Sequence, residues 1–294
     1  MFIATFIAEA LAETAPDVAA RALAGIGAAT GEARWLEAGT ALDVPFGRAS
    51  IEEARAVLEG LLPGADVVVQ PATHREKMLL VADMDSTMIT VECIDELADY
   101  AGIKPQIAAV TEAAMRGELD FEAALDARVA LLKGLDEAVI ERCLAERVAI
   151  MPGAKTLIRT MKARGATTIL VSGGFTRFAE PVAAEIGFDR AIANVLEIES
   201  GKLTGMVTKP IVGSDTKLQT LLNAAAERDL APEATLAVGD GANDLAMIKA
   251  AGIGFAYHAK PIVAAAAGAR IDHNDLTALL YAQGIPRAEW VIEG

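Results

Sequence analysis

Leu79-Leu80-Val81-Ala82-Asp83-Met84-Asp85-Ser86-Thr87 decides how the rest of this chain is read. Its first four residues form a short apolar run bounded by polar sequence, which predicts a buried strand of a parallel sheet. Ligands of open α/β sheets gather at the carboxyl ends of such strands. Asp83 and Asp85 leave the strand at that end. They are two apart on extended chain, so their side chains start on the same side. Crowded carboxylates are unfavourable unless a cation, a proton or a ligand compensates them. An acidic strand exit with helix-capping residues would have the same local sequence, so the other strand ends must decide.

Thr167-Thr168-Ile169-Leu170-Val171 and Thr235-Leu236-Ala237-Val238 repeat the pattern, each followed by a Gly- or Ser-rich turn and helix-compatible sequence. This alternation predicts right-handed βαβ crossovers and an α/β fold with a parallel sheet. The first crossover is too long, with amphipathic helical pattern filling the chain between Thr87 and Met151. That predicts a helical cap at approximately 91–150 standing over the first strand end, as lids often do. Asn194 to Val207 reads as a hairpin turning at Ser200-Gly201. Residues 1–75 read as a separate small α+β module, with strands within Met1–Glu9 and at Asp66–Gln70 and helices at Pro16–Ala24 and Ile51–Leu62. It contains no catalytic constellation.

The 294 residues exceed the usual size of one domain and carry 53% hydrophobic residues, enough for a large core. A formal net charge of −15 argues against a nucleic-acid binder, whose affinity rests on Lys and Arg. It leaves room for an anionic small substrate, which responds to local cations and metal ions. Cys93 and Cys143 are the only cysteines and form neither a CxxC pair nor a disulfide framework, so a reducing, cytoplasmic setting is expected. The apolar start lacks a basic leading region, and no apolar run nears the ~20 residues of a membrane span, so no membrane association is expected.

Three more sites give the carboxylates company. Val171 runs into Ser172-Gly173-Gly174, a hydroxyl with flexible backbone amides that can face an anion. Val238 runs into Gly239-Asp240-Gly241-Ala242-Asn243-Asp244, which adds two carboxylates. Lys217 stands near a helix start, where a lone lysine is ordinarily solvated. Together, Asp, Asp, Ser, Lys, Asp and Asp describe a site for a phosphoryl group and a hard dication. Carboxylate oxygens and water are what Mg²⁺ prefers, and Lys, Ser and backbone N–H groups balance phosphoryl charge.

These motifs resemble the haloacid dehalogenase (HAD) superfamily, whose first motif is DxDx[TV], and within it the phosphoserine phosphatase family. Asp83–Thr87, Glu92-Cys93-Ile94-Asp95-Glu96-Leu97, Val171–Phe175 and Gly239–Asp244 match in order, over about 79–280. The resemblance implies a Rossmann-like core, hydrolysis of O-phospho-L-serine at the last step of serine biosynthesis, and Mg²⁺ as cofactor. It makes Asp83 the nucleophile and Asp85 the acid and base. Metal ligands would be Asp83, the Asp85 carbonyl and Asp240, with Asp244 orienting the water shell or Lys217. Ser172, Gly173, Lys217 and Asn243 would bind phosphoryl oxygens. Glu92 would meet the substrate ammonium and Arg128 its carboxylate, with Phe121 nearby. Ala124 departs from the Ser often found ahead of this arginine. The N-terminal module resembles an ACT-like region, and a homodimer is compatible with the family.

Another phospho-amino acid or small phosphomonoester would keep the chemistry and change the substrate. A receiver domain shares the Asp, Ser/Thr and Lys set but is too compact for the insertion. A nucleotide binder lacks GxxxxGK[ST], and Gly25-Ile26-Gly27-Ala28-Ala29-Thr30-Gly31 misses the dinucleotide spacing by one residue.

Overall fold

In a computed structural model, which describes residues 1–115 and 118–292, the apolar run at 79–82 is an interior strand of a six-stranded sheet. The chain reaches it through β1 (Phe2–Ile7), α1 (Ala15–Gly25), β2 (Ala29–Thr30), β3 (Arg34–Glu37), β4 (Ala41–Gly47), α2 (Ile51–Leu58) and β5 (Asp66–Pro71). These strands pair antiparallel in the order β2-β4-β1-β5, with β3 also on β4. This is the split βαββαβ arrangement, with β2 and β3 together filling one strand position beside β4. Its three middle strands escaped the sequence reading because β4 contains Asp43, Pro45 and Gly47, residues that dilute a strand pattern. The start of α2 is a capping box, in which Ser50 Oγ accepts from Glu53 N and the Glu53 carboxylate accepts from Ser50 N.

The alternation of β1, β4 and β5 splits their side chains between two faces. Ala4, Phe6, Leu42, Val44, Phe46, Val67 and Val69 pack with α1 and α2 residues such as Ala19, Leu23 and Leu58. The other face carries Ile7, Ala41 and Val68 into the main core, together with Leu276, Leu279, Tyr281 and Ala282. Polar residues of that face are satisfied across the junction. The Arg75 guanidinium donates to both Asp43 oxygens at 2.6 Å and to Ala282 O at 3.0 Å. Asp66 accepts from the backbone N–H groups of Asp272, His273 and Asn274. Gln70 donates to Ala282 O at 2.7 Å.

The larger sheet comprises β6 (Leu79–Ala82), β7 (Thr167–Phe175), β8 (Arg190–Asn194), β11 (Thr235–Gly239), β12 (Ile253–Tyr257) and β13 (Ala269–Ile271). Its order is β13-β12-β11-β6-β7-β8 and every pairing is parallel. Between β6 and β7 stand α3 (Cys93–Tyr100), α4 (Lys104–Met115), α5 (Phe121–Leu131) and α6 (Ala138–Glu146), followed by α7 (Ala154–Ala163). The two chains that enter and leave this insertion are joined, Thr90 N donating to Ala149 O and Met151 N to Met88 O. The remaining helices are α8 (Thr176–Ile186), α9 (Ser214–Glu227), α10 (Leu245–Ala250), α11 (Pro261–Ala266) and α12 (Ala278–Ala282).

Strands β9 (Leu196–Glu199) and β10 (Lys202–Val207) form the expected hairpin, a two-stranded sheet apart from the main one. Its turn residues Ser200 and Gly201 both have positive φ, the geometry that suits a twisted hairpin. Among the described residues, no helix is long and apolar enough to cross a membrane.

Candidate active site

Because β6 lies between β11 and β7, three strand ends converge. Asp83 follows Ala82 and continues the ladder, its N–H donating to Val238 O at 3.0 Å. Ser172, Gly173 and Gly174 are still within β7, and Asp240 follows β11. Asp83, Asp85, Glu92, Arg128, Ser172, Gly173, Asp240 and Asn243 all line one cleft of about 540 Å³. Glu92 lies just ahead of α3, and Arg128 is on α5, so the inserted helices close one side of the cleft.

Lys217 differs most from the ordinary expectation for a lone lysine, because α9 carries it to a site where it is 0% exposed. Its Nζ donates to Asp83 Oδ1 at 2.5 Å and to Asp244 Oδ1 at 2.7 Å. Burial by itself would lower its proton affinity, but the two carboxylates outweigh that and hold it protonated. Lys217 and Asp244 therefore lie beneath the cleft rather than on its lining.

One oxygen each of Asp83, Asp240 and Asp244 lie within 4.8 Å of one another, a donor set suited to a hard divalent cation. Asp244 is already engaged at both oxygens, by Lys217 and by the Gly241 N–H. Among the described residues no hydrogen bond reaches Asp83 Oδ2, and Asp240 has only a long contact from Thr87 Oγ1 at 3.5 Å. The carboxylates of Asp83 and Asp240 are thus the freer ligands. Burial, then Asp83 and Glu92, push the Asp240 carboxyl up to about 6, more than Lys260 and Lys217 offset.

That shift has a testable sign. A carboxyl whose proton affinity rises on folding contributes stability below about pH 4, and loses it as pH climbs through about 6. Without divalent cations, Asp240→Asn should exceed the parent in stability by about 2–3 kcal/mol at pH 8. The gap should narrow as pH falls through about 6, close below about pH 4, and reverse with millimolar Mg²⁺ at pH 8. Calorimetric melting in EDTA and in Mg²⁺ reads both effects, and a pH-independent gap would overturn the assignment.

Asp85 has the opposite problem from Lys217. Its Oδ1 is buried without a hydrogen-bond partner. Burial, then Glu92 and Asp83, raise its proton affinity well above the usual carboxylate range. These surroundings favour its protonated form. The chain doubles back directly after it, with Ser86 at φ 55° and its Oγ donating to Glu92 Oε1 at 2.7 Å.

Ser172 is buried, and its Oγ accepts from Gly174 N at 2.8 Å, which leaves the hydroxyl proton free to donate. Phe121 lies against Gly173 so closely that a Cβ there would sit 3.1 Å from its ring, so a side chain at 173 would push the insertion away. Burial lowers the proton affinity of Arg128, which Asp95, Glu92 and Asp85 partly restore. Its Nε donates to Ala124 O at 3.2 Å. Cys93 and Cys143 are buried free thiols, and burial followed by Asp85 raises Cys93 well above its usual range.

Sequence reasoning missed three polar cleft residues, Thr111 of α4, Lys260 and Ser214. Lys260 follows β12, another strand end of the same sheet, and its N–H donates to Asp240 O. The strand-end rule used for Asp83 and Asp240 was the signal that could have found it. Ser214 opens α9, the helix of Lys217, and lacked any such signal.

A parallel sheet with clustered acids at its strand ends and an inserted helical roof is the architecture of the haloacid dehalogenase type. The chain belongs to the haloacid dehalogenase-like hydrolase family, whose pattern matches residues 80–249. It is similar to a Streptomyces coelicolor protein named phosphoserine phosphatase, 45% identical over 254 residues, 85% of this chain. The chain spans about 62% of that relative's length. Among solved structures it resembles a HAD family hydrolase from Salmonella enterica serovar Typhi, with TM-score 0.85, 33% identity and coverage of 96% of this chain and 98% of that one. A probable phosphoserine phosphatase from Vibrio cholerae gives TM-score 0.79 and 34% identity, covering 98% and 88% respectively.

Proposed function

We propose that this protein hydrolyses O-phospho-L-serine to L-serine and phosphate, with Mg²⁺, at the last step of serine biosynthesis. The observation that carries the reading is one cleft holding Asp83 and Asp85 together with Glu92 and Arg128. An anionic and a cationic side chain beside a phosphoryl site match the ammonium and carboxylate of a phosphorylated amino acid. The relatives' names favour the same substrate.

Asp83 attacks phosphorus, forming an O–P bond as the bond from phosphorus to the serine oxygen breaks. Asp85 gives its proton to that departing oxygen. It then takes a proton from the water that opens the aspartyl-phosphate, which restores both residues. Ser172, the Gly173 N–H and Asn243 bind the phosphoryl oxygens, while Lys217 adds positive charge from beneath and fixes the Asp83 carboxylate. Asp83, Asp240 and the Asp85 carbonyl would hold Mg²⁺, which when bound neutralises charge between the nucleophile and the phosphoryl group. Asp244 holds Lys217. Asp85 in place of a residue without acid–base function favours turnover over a stored phosphoenzyme.

Arg128→Ala tests the substrate. If Arg128 forms a desolvated pair with the substrate carboxylate, kcat/KM for phosphoserine should fall by about 2–5 kcal/mol in transition-state terms. Turnover of p-nitrophenyl phosphate, which has no carboxylate, should change little. An unchanged ratio between the two substrates would remove Arg128 from the pocket and favour a simpler phosphomonoester.

The same reading divides the chain into an ACT-like module at 1–75 and a phosphatase domain at 76–294, with the cap at approximately 91–150. A cytoplasmic setting goes with it, in keeping with the two free thiols.

A further inference from the structure

The hairpin of β9 and β10 joins neither the main sheet nor the cleft lining, and an isolated two-stranded hairpin is marginal by itself. Its contacts explain why it holds. At its root, buried Asn194 donates to Gly173 O at 2.9 Å and to Val212 O at 3.2 Å, while its Oδ1 accepts from Val212 N at 2.7 Å. The root is therefore tied to the Gly173 loop and to the chain leading into α9.

Along its length the hairpin is tied to the inserted helices instead. Gly134 N donates to Leu203 O at 2.8 Å, Leu203 N to Leu135 O at 2.9 Å, and Glu137 N to Gly201 O at 2.9 Å. Leu196, Leu203 and Val207 turn inward and share the core with Val129 and Leu132 of the α5 region. Gly205 lies where α5 comes closest. A Cβ there would sit 2.9 Å from Lys133 Cβ and 3.3 Å from the Ala130 backbone.

We propose that this hairpin is a positioning strut, which sets the span between the Gly173 loop and Arg128, with Gly205 fixing the approach of α5. A phosphorylated amino acid must bridge those two points, so the strut acts as a gauge of the length of such a substrate. The inference deepens the phosphoserine reading and rests on it for the identity of the bridging molecule.

The test compares Gly205→Ala with Gly201→Ala. Both glycines have positive φ, but a Cβ at 201 meets nothing nearer than Glu137 Oε1 at 3.7 Å. Gly201→Ala thus imposes the same backbone strain without the clash. Gly205→Ala should raise KM for O-phospho-L-serine by about tenfold or more, since small misplacements of positioning groups are costly. The kcat for p-nitrophenyl phosphate should hold, and Gly201→Ala should leave both constants near the parent's. In an Arg128→Ala background Gly205→Ala should have no further effect on phosphoserine, because it acts through Arg128.

Equal losses on both substrates, the same losses from Gly201→Ala, or additive losses in the double variant would overturn the strut. Hydrogen exchange over 121–131 separates the two readings. If Arg128→Ala by itself leaves the substrate ratio unchanged, the phosphoserine reading falls. The strut then stands on faster exchange of α5 in Gly205→Ala, and is overturned by unchanged exchange.

Discussion

Asp85→Asn should yield an enzyme that takes up phosphate and fails to release it. With p-nitrophenyl phosphate the leaving group departs without an acid, so about one equivalent of nitrophenolate per enzyme should appear in a burst. Opening the aspartyl-phosphate still requires a base, and steady turnover should fall about 10²–10⁴-fold. Acid-quenched protein should carry one phosphate by intact mass. With O-phospho-L-serine the burst should vanish, because the serine oxygen leaves only with a proton. The expectation rests on a buried Oδ1 without a partner and on burial, Glu92 and Asp83 favouring the protonated acid. Steady turnover within tenfold of the parent would assign the proton transfers to another group.

Asp83→Asn should have the larger effect on rate. An amide of the same shape keeps the packing but lacks the nucleophile, so kcat should fall on the order of 10⁴-fold or more. Neither burst nor phosphate adduct should form, with or without Asp85. The fold should tolerate the change, since Lys217 keeps Asp244 at 2.7 Å and Asp240 loses a like-charged neighbour. Melting within a few degrees of the parent, together with absent adduct, is the expected pair of results. A phosphate adduct on the variant would locate the nucleophile elsewhere.

Much of the core was legible because its signals are local. The strands at 79, 167 and 235 are short apolar runs, and each delivers its polar residues at the same edge of the sheet. The hairpin was legible from its turn residues for the same reason. Lys217 was legible only in company, because nothing near it in sequence reveals that Asp83 and Asp244 will surround it. Strand β4 was lost to its own composition. The docking of the N-terminal sheet was illegible in principle. Asp66, Gln70 and Arg75 look like ordinary surface polar residues until Ala282 and the 272–274 backbone arrive as partners.

Those partners lie 206–212 residues away along the chain, which has a consequence for biogenesis. As the chain leaves the ribosome, the βαββαβ sheet can assemble at once on its α1 and α2 side. Its opposite side, with Ile7, Ala41 and Val68 among unpaired polar groups, must wait until residues 269–285 have emerged. During that interval an apolar strand face is open to neighbouring chains, the circumstance in which nascent proteins aggregate or recruit chaperones. Residues 269–285 thus act as the closure that ends this vulnerable period. Ribosome-bound fragments stopped short of residue 269 should be the species that bind chaperone most strongly.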